Sequence, residues 1–158
     1  MLKNKKSWLL GAMLFLVVLS NLIFGSYHLG KKAAVDEPLW TFGRIQKFWN
    51  NISDREWEKT IVSDKPGITV VLISGIGMKI ENPLKQKSSF WNNKNANSDK
   101  PAKLEKVNKA FRWPILIFNS LSLIGFFFLL KKIFNPLAAI ISVIAIGLSP
   151  LILGISTI

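Results

Sequence analysis

The feature that most constrains this chain is the grouping of its apolar residues into a few long blocks. The first block runs from Ser7 to Gly30 without an Asp, Glu, Lys or Arg, and its most apolar part is WLLGAMLFLVVLSNLIF, Trp8 to Phe24. This block is long enough to cross the hydrocarbon of a bilayer as a helix. The apolar residues do not recur with the 2- or 3.6-residue period that is typical of a soluble core. The sequence therefore predicts a membrane protein.

Two further apolar blocks lie towards the C-terminus. The second is WPILIFNSLSLIGFFFLL, Trp113 to Leu130, and a Lys-Lys pair closes it. The third starts at Pro136, which suits the first turn of a helix, and contains Pro150, which indicates a kink or a helix end. We therefore expect an all-α membrane protein with three transmembrane helices and a long outer loop that contains juxtamembrane amphipathic helices.

Charge predicts the orientation of these helices. Of 158 residues, 21 are Lys or Arg and 9 are Asp or Glu, which gives a net charge of +12. Lysines in the N-terminal MLKNKK and at Lys131 and Lys132 are the basic groups of the short segments, and such segments stay in the cytoplasm. The N-terminus is then cytoplasmic and the long loop extracytoplasmic, as expected for a multi-pass protein of the cell membrane.

This topology divides the chain into four parts. Residues 1–30 hold the cytoplasmic tail and the first transmembrane helix, residues 31–111 the loop, residues 112–132 the second helix with its basic turn, and residues 133–158 the third helix. The first block also fits a secretory signal peptide, whose cleavage after Gly25 or Ser26 would release a basic protein. The two later blocks favour an uncleaved signal anchor.

The loop contains candidate helices and a polar insertion. Between Asp36 and about Ile61, apolar residues recur at helical spacing: Phe42, Ile45, Trp49 and Ile52. SDRE, Ser53 to Glu56, is typical of a capping box that starts a second short helix. The apolar stretch Gly67 to Met78 is too short to span, so it is re-entrant, interfacial or buried among other helices. Most of the Lys/Asn/Ser-rich stretch Glu81 to Phe111 has the composition of a solvated, mobile insertion.

Two acidic sites open segments at the predicted membrane boundary. Asp36 and Glu37 directly precede a proline, and Asp64 and Lys65 precede the short apolar stretch. Carboxylates at a helix N-terminus meet the helix dipole favourably, so capping alone explains the first pair. A carboxylate beside a bilayer can also serve as a general base or ligate a divalent cation. Both interpretations stay open at this point.

Cations lie near the same boundary. Lys65 follows the second acidic site, Arg44 lies two turns into the first loop helix, and Arg112 stands at the start of the second transmembrane helix. Solvation of Lys65 and snorkelling of Arg112 would explain them without a ligand. Together, two acidic sites and several cations on one face suit a phosphate-bearing lipid substrate, for which Lys65, Arg44 and Arg112 are the candidate phosphate-binding residues.

Cysteine chemistry, zinc binding and nucleic-acid binding find little support. The chain has no cysteine, which excludes disulfides, iron–sulfur clusters and thiol catalysis. Its single histidine, His28, is not part of a cluster with zinc spacing. The loop is basic and aromatic, but its extracytoplasmic location argues against a nucleic-acid partner.

Five short motifs follow one another at the predicted membrane boundaries. They are VDEPLW (Val35 to Trp40), SDKPGI (Ser63 to Ile68), FRWP (Phe111 to Pro114), KKIFNP (Lys131 to Pro136) and LSPLILGIS (Leu148 to Ser156). This order resembles the N-terminal part of integral-membrane glycosyltransferases of the type C fold, such as dolichyl-phosphate-mannose protein mannosyltransferases and bacterial aminoarabinose transferases of lipid A. The family pattern has a proline where Gly67 stands here, and glutamate is common at the place of Asp64. The family also has many more spans, so the resemblance implies an N-terminal fragment that is inactive alone.

The resemblance implies an inverting sugar transfer on the outer face of the membrane. Asp36 would be the general base that deprotonates the acceptor hydroxyl. Glu37 would support it or help to hold a metal ion, and Asp64 would orient the acceptor or ligate that ion. Asp36 and Asp64 are also the candidate ligands of a divalent metal ion, and Lys65 would contact the donor phosphate. The implied partners are a polyprenyl-phosphate-linked sugar, a lipid, glycan or protein acceptor, and membrane lipid.

A non-enzymatic alternative uses the same composition. A small multi-pass membrane protein could bind anionic lipid or a cell-wall polymer through its cationic outer loop. Such binding would fall with added salt and would not depend on Asp36 or Asp64.

Overall fold

The described part of the chain is all helical. A computed structural model describes residues 2–27, 29–31, 37–62, 67–81 and 100–149, and for residues 2–6, 100, 101 and 103 it describes the backbone alone. These residues contain no strand, which confirms the predicted all-α class. They form two compact units: the first holds the described residues of Met1–Tyr27 and Leu116–Thr157, and the second those of His28–Ile115.

The described residues of these units form six α-helices, one π-helical turn and two 3₁₀ turns. In chain order they are α1 (Leu2–Ser26), α2 (Glu37–Leu39), a π-helical turn (Trp40–Arg44), α3 (Ile45–Ser53), a 3₁₀ turn (Trp57–Thr60), α4 (Ile68–Ser74), a second 3₁₀ turn (Gly75–Lys79), α5 (Lys100–Ile133) and α6 (Pro136–Gly147).

Two of these helices are long and apolar enough to cross a bilayer. The stretches are Ser7–Ser26 of α1 and Leu104–Ile133 of α5. Of their most apolar windows, 28% and 22% are buried within the structure, whereas a core helix of a soluble protein is mostly buried. The third predicted span is not among them. Helix α6 has 12 residues and ends at Gly147, shortly before a Ser-Pro pair that disfavours helix. The rest of that predicted span, with Pro150, lies outside the described residues.

The first unit has an apolar core where α1, α5 and α6 meet. A chain of hydrogen bonds between neutral groups runs beside it: Ser120 Oγ donates to Asn21 Oδ1 over 2.7 Å, and Asn21 Nδ2 donates to the Gly147 carbonyl over 2.7 Å. Ser120 is fully buried and Asn21 nearly so, and the two bonds link all three helices. The buried apolar residues of this core are Leu14, Val17, Val18, Leu123, Phe127, Ala139, Ile140 and Val143.

The start of α6 follows the prediction from Pro136. This proline is the first residue of the helix, where its missing N–H leaves no helical bond unmade. The preceding Asn135 caps the helix, because its Oδ1 accepts from the Ala138 N–H over 2.8 Å.

The second unit contains the predicted loop helix, present as the continuous run Glu37–Ser53. Ile45 and Phe48 are buried, and the partly buried residues packed beside them include Phe42, Trp49 and Ile52, as the helical spacing predicts. Helix α2 begins at Glu37, so Pro38 lies in the first turn.

The predicted capping box at SDRE is wrong. Ser53 ends α3 instead of starting a helix, and its Oγ donates back to the Trp49 carbonyl over 3.0 Å. Arg55 then takes a positive φ of 60°, which stops the helix. The second short helix is the 3₁₀ turn Trp57–Thr60.

Helix α4 and its 3₁₀ turn pack closely on one side. A Cβ on Gly75 would overlap the indole nitrogen of Trp49, and a Cβ on Gly77 would overlap the Ala110 carbonyl oxygen. That carbonyl cannot accept from the residue four positions on, because Pro114 has no N–H. The other side of the element is exposed, so it is not buried on all sides. The exposed apolar residues are Ile68, Val70, Leu72, Ile76 and Ile80.

Helix α5 begins at Lys100, well before the predicted second span. Val107, Ala110 and Phe111 are buried and belong to one cluster with Ile45, Phe48 and Val71. The predicted mobile insertion is therefore wrong for residues 100–111, where lysines surround apolar residues at helical spacing. Residues 82–99 of that insertion lie outside the described part of the chain.

Candidate functional site

A buried ion pair in the second unit joins two of the five motifs. Arg112 of FRWP donates from Nε to Glu37 Oε1 over 2.6 Å and from Nη2 to Glu37 Oε2 over 2.5 Å. The Arg112 side chain is 6% exposed and that of Glu37 14%. Two parallel bonds between a planar guanidinium and a carboxylate are strong and directional. They hold the start of α2 against α5.

The backbone of Leu29 fixes another side of the same guanidinium. Arg112 Nη1 donates to the Leu29 carbonyl over 2.9 Å, and Leu29 is fully buried. The next residue, Gly30, lies so close to α5 that a Cβ would overlap the Glu105 carbonyl oxygen. Arg112 thus binds the end of the first apolar block as well as the VDEPLW motif.

This arrangement fixes the side chains of Glu37 and Arg112. Both carboxylate oxygens of Glu37 accept from Arg112, and the supporting role predicted for Glu37 in catalysis stays a prediction. Arg112 was predicted to bind a donor phosphate. In the structure its three donor nitrogens face Glu37 and Leu29, and the phosphate contact stays a prediction.

Trp40 brings the end of a third motif to the same unit. A Cβ on Gly67 of SDKPGI would lie 2.8 Å from Trp40 Cη2, so the Gly67 backbone lies directly on the indole ring. The half-buried Arg44 places its guanidinium carbon 4.8 Å from the centroid of a Trp40 ring, in cation–π contact. Trp40 and Arg44 are the two ends of the π-helical turn, a geometry that is frequent at functional sites.

Three predicted site residues, Asp36, Asp64 and Lys65, lie outside the described residues, and their roles stay predictions. Their neighbours in the chain are described. Asp36 precedes Glu37, and Lys65 stands two residues before Gly67. Among the described residues, no group of three or more His, Cys, Asp or Glu could hold a metal ion. The proposed ligands Asp36 and Asp64 are not among those residues, so the metal prediction is untested.

Three residues of this region were not predicted from the sequence motifs. Leu29 acts through its backbone, which leaves no signal in the sequence. Trp40 lies in VDEPLW, and its place in that motif is the only sequence feature that could have identified it. Asn108 lies one turn before Arg112 on α5, is buried, and has no hydrogen-bond partner for Nδ2 among the described residues. Such a buried amide is uncommon.

Comparison of the chain with protein-family models, with curated proteins and with solved structures finds no match. The functional conclusion rests on the motifs and on the contacts between them.

Proposed function

We propose that this chain is the N-terminal part of a membrane glycosyltransferase that moves a sugar from a polyprenyl phosphate to an acceptor hydroxyl. The observation that supports it best is the Glu37–Arg112 ion pair, because it joins VDEPLW to FRWP. The contact between Trp40 and Gly67 adds SDKPGI. Three motifs that are widely separated in the sequence therefore belong to one compact unit, as a shared site requires.

The proposal places the reaction at the outer surface of the cell membrane. Helices α1 and α5 cross it, the residues from Pro136 onward supply a third span, and the N-terminus is cytoplasmic. The low burial of the apolar stretches of α1 and α5 supports the crossings. The exposed apolar side of α4 supports contact of the second unit with lipid, since large exposed apolar patches mark interaction surfaces.

Asp36 is the proposed general base. It takes the proton of the acceptor hydroxyl while the hydroxyl oxygen bonds to the anomeric carbon of the sugar. The bond from that carbon to the phosphate oxygen breaks, the configuration inverts, and polyprenyl phosphate leaves with the electron pair. Lys65 would neutralise charge on the leaving phosphate. Glu37, fixed by Arg112, orients the backbone from which Asp36 extends.

The test compares Asp36→Asn with Asp54→Asn in the protein expressed from its complete reading frame. Asp54 is exposed at the end of α3 and is a matched control in the same loop. Membranes receive polyprenyl-phosphate mannose or polyprenyl-phosphate aminoarabinose, and released polyprenyl phosphate is measured per inserted protein. We expect Asp36→Asn to reduce release by about 10²-fold or more, as loss of a general base does, and Asp54→Asn to leave it unchanged.

Two outcomes would contradict the proposal at different levels. Equal release by both variants would remove Asp36 from the mechanism. Absence of release from every polyprenyl-phosphate sugar tested, with the protein inserted, would overturn the assignment as a glycosyltransferase.

The net charge of +12 supports a second candidate function, binding of anionic lipid or a cell-wall polymer. Here the chain is reconstituted in neutral nanodiscs and sedimented with anionic vesicles across a salt series. Binding that falls steeply with salt and is the same for Asp36→Asn as for the unchanged chain would favour this function.

A further inference from the structure

One exposed face of α5 in the first unit carries a repeat typical of helix pairing. Its residues are spaced alternately by three and four positions, all are exposed, and we call them the α5 seam: Asn119, Ser122, Phe126, Leu129 and Ile133. This spacing is the a/d repeat by which one helix packs along another. The core of the first unit uses a different face of the helix, which carries Leu123 and Phe127. The α5 seam is therefore available to a further helix.

Asn119 is the unexpected residue in the α5 seam. It lies within the stretch Leu104–Ile133 that is apolar enough to cross a bilayer. Ser122 Oγ donates to its backbone carbonyl over 2.7 Å, but no hydrogen bond among the described residues involves its side-chain amide. An unpaired amide in hydrocarbon is unfavourable, and asparagine at a helix interface in membranes hydrogen-bonds to the neighbouring helix.

We propose that the α5 seam binds a second copy of this chain, with the two Asn119 amides paired across the interface. Two copies in one membrane share one orientation. A symmetric dimer through α5 is therefore parallel, and each residue of the seam faces its own counterpart. A side chain that faces its copy must both donate and accept, which an amide does through its NH₂ and its carbonyl oxygen.

The rest of the α5 seam suits this partner. Ser122, the next seam residue, is small and hydroxylated, so the two backbones can approach and the hydroxyls can bond across the interface. Phe126, Leu129 and Ile133 then continue the contact with apolar side chains. The proposal takes α5 as a membrane span and does not depend on sugar transfer.

The absence of cysteine from the chain allows a direct test, because a single introduced thiol is unique. Ser122→Cys is compared with Leu121→Cys in the full chain reconstituted in lipid vesicles. Leu121 is also exposed, at 54%, but its side chain points about 100° away around the helix, off the seam. On mild oxidation we expect Ser122→Cys to give a covalent dimer and Leu121→Cys to give little, also after dilution with added lipid.

The amide pair is tested in the Ser122→Cys chain. Asn119→Leu should weaken dimerisation by about tenfold, because the change removes both amides of the pair and with them up to two hydrogen bonds, and Asn119→Gln should retain it. Energy transfer between chains labelled with two dyes is measured in the same vesicles. It also detects dimers in which the two introduced thiols are too poorly aligned to cross-link. Equal cross-linking at positions 121 and 122, unchanged dimerisation of Asn119→Leu, or absence of energy transfer in the unchanged chain would each overturn the proposal.

Discussion

The two units hold their helices together with different polar contacts. In the first unit the link between α1, α5 and α6 is neutral, and it runs from Ser120 through Asn21 to the Gly147 carbonyl. In the second unit a buried charge pair, Glu37 with Arg112, joins α2 to α5. Neutral links suit hydrocarbon, where charge is unfavourable, and a paired charge suits the boundary with water. The difference teaches that the first unit joins its helices without buried charge, whereas the second relies on a buried charge pair.

The largest effect should come from breaking the charge pair. Arg112→Met removes both bonds of the bidentate ion pair from the buried Glu37 carboxylate, which should lower the free energy of unfolding of the second unit by about 3–5 kcal/mol. Hydrogen exchange of the α3 amides in the full chain measures this change. Amides of α6 in the first unit should exchange at unchanged rates.

A double variant tests whether charge is the cause. Arg112→Met combined with Glu37→Met removes both charges and should recover most of the lost stability, because a buried pair contributes little compared with apolar residues of similar volume. Wild-type exchange rates in the single variant would mean that the pair does not stabilise the second unit.

A smaller effect should follow from filling the space at Gly75. Gly75→Ala places a Cβ on the Trp49 indole nitrogen, and such overpacking costs about 1–3 kcal/mol. Gly43→Ala is the matched control in the same unit, because no atom lies within 4 Å of its added Cβ. Thermal unfolding of the two variants should differ, and equal midpoints would show that α4 and α3 separate easily.

The cap of α6 extends the comparison to the first unit. Asn135→Ala removes the acceptor of the Ala138 N–H and should destabilise the start of α6 by about 1 kcal/mol, whereas Asn135→Ser should preserve the cap. Hydrogen exchange at the first amides of α6 measures the effect. The same exchange rates in both variants would contradict it.

The smallest effect is expected from the neutral link itself. Ser120→Ala removes one hydrogen bond to Asn21 and should reduce stability by about 0.6 kcal/mol, the average for such bonds between membrane helices. Ser26→Ala is the control, since its Oγ donates within its own helix to Ile23. Reversible unfolding of the first unit in detergent compares them. A loss in Ser120→Ala as large as that in Arg112→Met would abolish the contrast between the units.

The parts of the fold that depend on local pattern could be predicted from the sequence. The first apolar block is helical in α1, and the spacing of Phe42, Ile45, Trp49 and Ile52 predicted the helix around α3 with its buried side. Pro136 marked the start of α6. In each case the signal lies within one helix and reflects the residues that the helix buries.

The parts that depend on contacts distant in the sequence could not be predicted. Arg112 and Glu37 are separated by 75 positions, and either could equally have been solvated. The N-terminal half of α5 was not predicted as a packed helix, because its lysines make that part of the sequence polar. Val107 and Phe111 are identified as core residues only by the residues that pack against them. For the candidate site, the motifs named the segments, and the structure added the contacts of Leu29 and Trp40 with two of them. The roles of the site residues stay predictions.

The contact of Trp40 with Gly67 has an evolutionary consequence. The indole ring occupies the space that any larger residue at position 67 would need, so the two positions cannot change independently. Related chains that carry a larger residue at position 67 should have a smaller residue at position 40. Correlated substitution of these two positions would record that the first and second motifs have remained in contact through divergence.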